Sequence, residues 1–158
     1  MLCRNFNEIL NDFTEKRTLS KYANEKLPAE VKSYMQCLVG KKFSLDCIFE
    51  DDAGDNFHHD RDDADKFVLI AADGQGNVWL LGLLDGVVYF LNHDIWEEPD
   101  SLRSMNISFE QFVVMADLLG QFEAEHPYPY SEKSIEQLKE QLCYIEKSLV
   151  EDFPYKLS

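Results

Sequence analysis

Basic residues are scarce in this chain, in which 15 lysines and arginines face 30 aspartates and glutamates and the formal net charge is −15. A negative field of this strength repels phosphate backbones and anionic membranes, and it attracts basic partners. Unless the protein itself mimics a nucleic acid, the charge argues against nucleic-acid and membrane binding. It favours a basic protein as the partner.

Long apolar runs and paired cysteines are also missing. The apolar runs are far shorter than the ~20 residues that cross a membrane, and Met1 to Asp12 lacks the continuous apolar core of a signal peptide. No Cys-x-x-Cys pair exists among the widely spaced Cys3, Cys37, Cys47 and Cys143. We therefore expect a soluble cytoplasmic protein with free thiols, either a monomer or a weak homodimer.

The sequence has none of the short motifs that identify common catalytic sites. It contains no Gly-x-Ser-x-Gly and no P-loop Gly-Lys-Ser/Thr, and Gly74-x-Gly76 lacks the third glycine of a dinucleotide fingerprint. His93 follows a predicted strand, where a hydrogen-bonding role and a general-base role are both open. We expect no catalytic residue, no cofactor and no metal, and hence a binding protein.

The stretch from Phe67 to Asp94 is the most informative part of the chain. Its three apolar runs are separated by the turn at residues 74–77 and by Asp85-Gly86, and an Asp-Gly pair between apolar runs is a strong hairpin signal. The pattern predicts a three-stranded antiparallel meander. Its central strand, Val78 to Leu84, is apolar on both faces, which predicts cover on both sides or a second sheet layer.

Helices are predicted on both sides of this meander. Leu2 to Phe13 has helical apolar spacing, Lys16 to Lys26 reads as a polar linker, and a second helix runs from Leu27-Pro28 to Gly40. Phe43 to Phe49 alternates like a half-buried strand. The 158 residues fit a single α+β domain, residues 1–158, with a central antiparallel sheet flanked by N- and C-terminal helices.

Two more helices follow the meander. Ser108 and Gln111 form a predicted capping box, and this helix ends at the prolines after His126. Ser131 caps a last helix, over about residues 132–150, whose apolar stripe runs from Ile135 to Leu149. Packing of this stripe on the domain and a coiled-coil seam are the two alternatives.

Two acidic segments flank the meander in the sequence. Glu50 to Asp65 carries eight carboxylates, and the predicted loop from His93 to Asn106 places Trp96 among four more. The first segment is open to three interpretations: a solvated loop, a protein-binding surface or a cation site. The cation ligands would come from Asp51, Asp52, Asp55, His58, His59, Asp60, Asp62 and Asp63, although their spacing does not match an EF-hand.

The order of these signals resembles the SUKH superfamily, which includes bacterial immunity proteins related to a yeast cell-wall assembly regulator. The resemblance covers Leu27 to Phe122. Its pieces are Leu27-Pro28, Gly76-Asn77-Val78, Asp85-Gly86-Val87-Val88-Tyr89-Phe90, His93-Asp94 and Ser108-Phe109-Glu110-Gln111-Phe112. The chain departs from the family pattern in Val39-Gly40, in the acidic insertion at Glu50 to Asp65 and in the extra C-terminal helix.

The resemblance implies a SUKH-like α+β domain that binds and neutralises a polymorphic toxin, often a nuclease. The acidic segments would form one rim that steers the chain toward a basic toxin. The expected partner-binding residues are Glu50, Asp51, Asp52, Asp55, Phe57, Asp60, Asp62, Asp63, Asp65, Tyr89, Asp94, Trp96, Glu97, Glu98 and Asp100. The alternatives are a cell-wall or signalling regulator of the same fold, and a metal-dependent hydrolase that uses residues 58–65.

Overall fold

The computed structural model describes residues 3–51, 63–95 and 98–155. Within these residues, five strands form one antiparallel sheet whose spatial order follows the chain. The strands are β1 (Ile48–Phe49), β2 (Phe67–Ala72), β3 (Val78–Gly82), β4 (Val87–Leu91) and β5 (Leu102–Ser108). The predicted meander is therefore the centre of a larger sheet, and the α+β class is confirmed.

Two turns join the central strands, as their sequences predict. Between β2 and β3, the Asp73 carboxylate accepts hydrogen bonds from the backbone N–H groups of Gln75 and Asn77 at 2.8 and 3.1 Å. Between β3 and β4, Gly86 has a φ of +69°, a conformation that costs glycine little. Each turn reverses the chain within a few residues, so that consecutive strands pair.

Among the described residues, the α-helices lie before β1 and after β5, and three short 3-10 helices lie between these strands: Ala64–Lys66, His93–Ile95 and Pro99–Ser101. The α-helices are α1 (Phe6–Leu10), α2 (Lys21–Lys26), α3 (Ala29–Leu38), α4 (Phe109–Glu125), α5 (Glu132–Ile145) and α6 (Leu149–Asp152). The predicted capping box is present at the start of α4: Ser108 Oγ accepts from Gln111 N at 3.2 Å, and Gln111 Oε1 accepts from Ser108 N at 2.9 Å. Two orphan N–H groups at the start of α4 are thereby satisfied.

The central strand contributes to two buried clusters, which confirms the prediction of cover on both faces. Trp79 and Leu81 belong to the main core, where the Trp79 ring lies 5.1 Å from that of Phe112 on α4. Leu80 belongs to a smaller cluster with Phe67 and other residues. Alternate residues of β3 thus point to opposite faces of the sheet, as strand geometry requires.

The apolar stripe at the C-terminus packs on the domain and is not a free seam. Ile135, Leu138 and Leu142 of α5 are buried, and so is Leu149 in α6. The predicted single helix is wrong in extent, because α5 ends at Ile145 and a short turn separates it from α6. Leu149, beyond the end of α5, is nevertheless buried in the main core.

Three further boundaries differ from the sequence prediction. The predicted linker contains α2, which begins where Ser20 Oγ accepts a hydrogen bond from Ala23 N at 3.3 Å. The helix predicted from Leu2 to Phe13 is shorter, because Asn5 caps it and it ends at Leu10. The predicted strand from Phe43 keeps only Ile48–Phe49, because Phe43 N donates to Cys47 O at 3.0 Å and closes a turn.

The largest error is β5, which lies partly in a segment that was predicted to be an acidic loop. Met105 and Ile107 alternate with polar neighbours and are buried in the main core. The acidic residues before Leu102 hid this short alternation in the sequence. Among the described helices, none has the length and apolar composition needed to span a membrane.

Candidate binding surface

Where the structure describes them, residues of the two acidic segments lie at different ends of the sheet. Strand register gives the sheet two ends: the Asp46 end, at Ala72, Val78, Leu91 and Leu102, and the Asp85 end, at Phe67, Gly82, Val87 and Ser108. Asp63 and Asp65 precede β2 at the Asp85 end, whereas Asp94, Glu98 and Asp100 join β4 to β5 at the Asp46 end. These described residues therefore do not form one continuous rim.

Part of the predicted surface lies outside the described residues. This applies to Asp52, Asp55, Phe57, Asp60, Asp62, Trp96 and Glu97, and to His58 and His59 of the suggested cation cluster. Among the residues that the structure does describe, no group of three His, Cys, Asp or Glu side chains is arranged to hold a metal ion.

Glu50 and Asp51 are tied into the fold. The Asp51 carboxylate accepts a hydrogen bond from the backbone N–H of Ser20, the residue that caps α2, and the Asp51 carbonyl accepts from the Ser20 hydroxyl at 3.1 Å. Glu50 donates its backbone N–H to Ile70 O at 3.1 Å. Burial, together with the charge of Asp51, raises the pKa of Glu50. This pair fastens α2 to the sheet.

Tyr89 belongs to the Asp85 end, away from Asp94 and Asp100. Its hydroxyl donates to Asp85 Oδ2 at 2.5 Å, and its ring meets the ring of Phe67 edge-on at a centroid distance of 5.1 Å. The hydrogen bond lowers the pKa of Asp85 and raises that of Tyr89. Tyr89 therefore acts within the hairpin, as a partner of Asp85.

His93 has a hydrogen-bonding role at the end of β4. Its backbone N–H and its Nδ1 both lie 2.9 Å from Asn77 Oδ1, and its Nε2 lies 3.1 Å from Asp94 Oδ1. The Asn77 side chain thereby links the turn before β3 to the residue that follows β4. This arrangement favours the hydrogen-bonding interpretation of His93.

Three carboxylates that the sequence did not single out meet at the Asp46 end. Asp46 lies in the turn before β1, Asp73 directly follows β2, and Glu123 is in the last turns of α4. With 30 acidic residues spread along the chain, nothing in the sequence distinguishes these three from the others. Only the sheet register and the path of α4 bring them together.

Asp73 is fully engaged in hydrogen bonds. Besides the two backbone N–H groups of its turn, it accepts from Asn77 Nδ2 at 2.7 Å and from the Tyr155 hydroxyl at 3.0 Å. Burial and the negative charge of Asp73 raise the pKa of Tyr155 strongly. Tyr155 is therefore a neutral donor that fastens the C-terminal segment to the β2–β3 turn.

Glu123 receives the turn that carries Asp46. The backbone N–H of Leu45 lies 3.2 and 3.1 Å from the two oxygens of Glu123. Burial raises the pKa of Glu123, while the Leu45 N–H and the charge of Lys42 act in the opposite direction. The close approach requires a glycine on α4, since a Cβ at Gly120 would overlap the carbonyl oxygen of Phe43.

Asp46 is half-buried, and its carboxylate accepts no hydrogen bond from any residue that the structure describes. Its carbonyl oxygen is fixed in place, because it accepts from Trp79 Nε1 at 2.9 Å. Burial, with smaller contributions from the charges of Glu123 and Asp73, raises the pKa of Asp46 to about 6. At neutral pH this group is mostly ionised in an unfavourable setting.

A partly enclosed cavity of about 70 Å³ opens beside these groups. Its polar wall consists of Asp46, Glu123, Tyr130 and Tyr155, and its apolar wall of Leu119, Phe122, Ile135, Leu138 and Phe153. Two large exposed side chains adjoin it: Leu45, next to Asp46, is 59% exposed, and Tyr128, whose ring lies 5.6 Å from that of Tyr130, is 84% exposed.

Comparison with known proteins returns no match for this chain, whether against protein-family models, curated proteins or solved structures.

Proposed function

We propose that this chain is a non-catalytic protein that binds and neutralises a basic protein partner, as a SUKH-like bacterial immunity protein does. One observation carries the proposal: within the described residues, the carboxylates of the Asp46 end form no ion pair with a lysine or arginine. These carboxylates are Asp46, Asp73, Asp94, Glu98, Asp100 and Glu123.

Charge that is not neutralised within the protein is available to a partner. With a net charge of −15, the whole chain attracts a basic surface, and such steering raises association rates up to about 10⁸–10⁹ M⁻¹s⁻¹ at low salt. Toxic nucleases carry basic surfaces because they hold phosphates. The SUKH resemblance therefore supplies the class of partner, a toxin domain, and the charge supplies the physical reason for binding.

The cavity beside Asp46 is small for a substrate pocket, because such pockets usually enclose about 300–1,000 Å³ and this one measures about 70 Å³. Asp46 and Glu123 both have raised pKa values, so their environments do not separate them into an acid and a base. The regulator alternative loses its suggested helix-docking surface, because the stripe on α5 is buried.

The test uses the toxin domain encoded by any toxin gene that neighbours this gene. We expect the purified chain to bind that domain, and co-expression to protect cells from it. The variant that replaces Asp94 with Asn, Glu98 with Gln and Asp100 with Asn should lower the association rate about tenfold at low salt. A stopped-flow or surface-based measurement at two salt concentrations provides the readout.

A control variant separates local charge from total charge. Glu132→Gln, Glu136→Gln and Glu140→Gln remove the same number of carboxylates from exposed positions on α5. This control should change the association rate much less than the first variant. Absence of binding and protection would reject the proposed function, and equal effects of both variants would show that only total charge matters.

A further inference from the structure

The cavity beside Asp46 combines negative charge with aromatic side chains. Two carboxylates, those of Asp46 and Glu123, form part of its wall. Four aromatic residues complete it: Phe122, Tyr130, Phe153 and Tyr155. Carboxylates attract a cation, and the face of an aromatic ring attracts a cation that lies over it. The wall therefore has the chemistry of a cation site with a flat, partly apolar occupant.

Within residues 3–51, 63–95 and 98–155, no lysine or arginine occupies this site. Among the described residues, no lysine or arginine is in an ion pair with Asp46 or Glu123. Lys42 is near enough to lower the pKa of Glu123, but it is exposed on the surface. Asp46 also faces Asp73 and Glu123, which are both acidic. A half-buried carboxylate without a donor or a cation is the feature that an external cation would complete.

The volume of the cavity selects among cations. At about 70 Å³, the cavity admits only a small group. A guanidinium group with its adjoining methylene is a small group. A guanidinium group is also planar, stacks on aromatic rings and donates in a fork that matches a carboxylate.

We propose that this cavity binds the guanidinium group of an arginine side chain presented by the basic partner. The identity of the partner rests on the proposed function, whereas affinity for guanidinium is a property of the cavity. Leu45 and Tyr128, both exposed beside it, would pack around the stem of the arginine and exclude water. Arginine anchors in pockets, surrounded by water-excluding contacts, often dominate interface energies.

The direct test uses the free side chain. N-acetyl-arginine amide is titrated into the ¹⁵N-labelled chain, and the resonances of the Trp79 indole N–H and the Leu45 N–H are followed. These protons bond to Asp46 O and to the Glu123 carboxylate, so that they report on the cavity. We expect saturable shifts with N-acetyl-arginine amide, weaker ones with N-acetyl-lysine amide and none with the neutral isostere N-acetyl-citrulline amide. Equal shifts with citrulline would overturn the proposal.

Variants then test the two carboxylates separately. Asp46→Asn and Glu123→Gln keep the shapes of the side chains and should each weaken the affinity for N-acetyl-arginine amide at least tenfold. Glu140→Gln, an exposed position on α5, should leave it within twofold of the wild type. The ¹⁵N spectra of all variants confirm that they are folded. Unchanged affinity for N-acetyl-arginine amide in either folded cavity variant would reject the site. The test therefore remains valid if only one of the two variants folds.

The same variants distinguish this site from the proposed function. If the toxin domain binds with wild-type affinity to folded Asp46→Asn and Glu123→Gln, the function stands and the arginine site is wrong. If N-acetyl-arginine amide binds as expected but no basic protein partner does, the arginine site stands and the proposed function is wrong.

Discussion

Asp46 and Asp85 are aspartates in turns at opposite ends of the same sheet, and their carboxylates differ in hydrogen bonding and in the direction of their pKa shifts. Asp85 accepts hydrogen bonds from the Tyr89 hydroxyl at 2.5 Å and from Val87 N at 3.0 Å, and its pKa is lowered. Asp46 has no such donor among the described residues, and burial raises its pKa to about 6. The ionised carboxylate of Asp85 therefore stabilises the fold, whereas the ionised carboxylate of Asp46 lowers its stability.

In a protein with 30 acidic residues, the number of hydrogen-bond donors distinguishes a carboxylate that stabilises its own turn from one that does not. A satisfied carboxylate needs no explanation beyond its own turn. An ionised group without a partner reduces stability, and the arginine site proposed above would give the charge of Asp46 a role. Counting acidic residues, or finding where they cluster in the sequence, does not reveal this difference.

The largest expected loss of stability comes from steric overlap at the Asp46 end. Gly120→Ala places a methyl group against the Phe43 carbonyl and should destabilise the protein by about 3 kcal/mol, because the backbone must move. Gly86→Ala at the Asp85 end meets nothing within 4 Å and should cost only about 1 kcal/mol, through its positive φ. Chemical denaturation measures both values, and a larger loss for Gly86→Ala would contradict the described packing.

Removing the two carboxylates should shift stability in opposite directions. Asp85→Ala loses two hydrogen bonds and should destabilise the protein by about 1–2 kcal/mol. Asp46→Asn removes an unfavourable charge and should stabilise the protein by about 1 kcal/mol at pH 7.5, after allowance for solvent screening. Urea unfolding of the two variants is the measurement, and destabilisation by Asp46→Asn would refute the contrast.

The contributions of Asp46 and Asp85 to folding stability should change with pH in opposite directions. Asp46 has a folded pKa of about 6, above its unfolded value near 3.9, so the wild type should lose stability relative to Asp46→Asn as the pH rises from about 4 to 6. The pKa of Asp85 is lowered, so the advantage of the wild type over Asp85→Ala should shrink as the pH falls below about 4. Parallel profiles would show that the two carboxylates do not differ.

The smallest expected effect concerns salt. Raising NaCl from 50 to 500 mM should reduce the stabilisation by Asp46→Asn by a few tenths of a kcal/mol, because ions screen the repulsion from Glu123 and Asp73. The stability difference between wild type and Asp85→Ala should change less, since its short hydrogen bonds are local. Repeating the urea series at both salt concentrations tests this, and an equal response at both ends would count against the electrostatic account of Asp46.

The sequence predicted the parts of the fold that local chemistry determines. The Asp85-Gly86 turn, the capping box at Ser108 and the apolar run that forms β3 depend on neighbouring residues, and all three are present. It failed for α2 and β5, because the polar composition of the first and the acidic residues before the second outweighed short patterns. These elements depend on tertiary packing, which overrides local propensity.

The candidate site could not be predicted from the sequence, because it too depends on tertiary packing. Asp46, Asp73 and Glu123 are far apart in the chain, and nothing in their immediate neighbours marks them. What distinguishes them is the number of donors around each carboxylate, and that number is set by register and by the close packing of α4. A run of acidic residues can be recognised in a sequence. A carboxylate that lacks hydrogen-bond donors can be recognised only in the folded structure.

The hydrogen bond from Tyr155 to Asp73 joins residues 82 positions apart and closes one wall of the cavity. A ribosome makes the sheet and α4 well before it makes Tyr155. The cavity is therefore completed only after the segment that carries Phe153 and Tyr155 has been made and Tyr155 has bonded to the β2–β3 turn. A chain without residues 153–155 would lack this wall of the site.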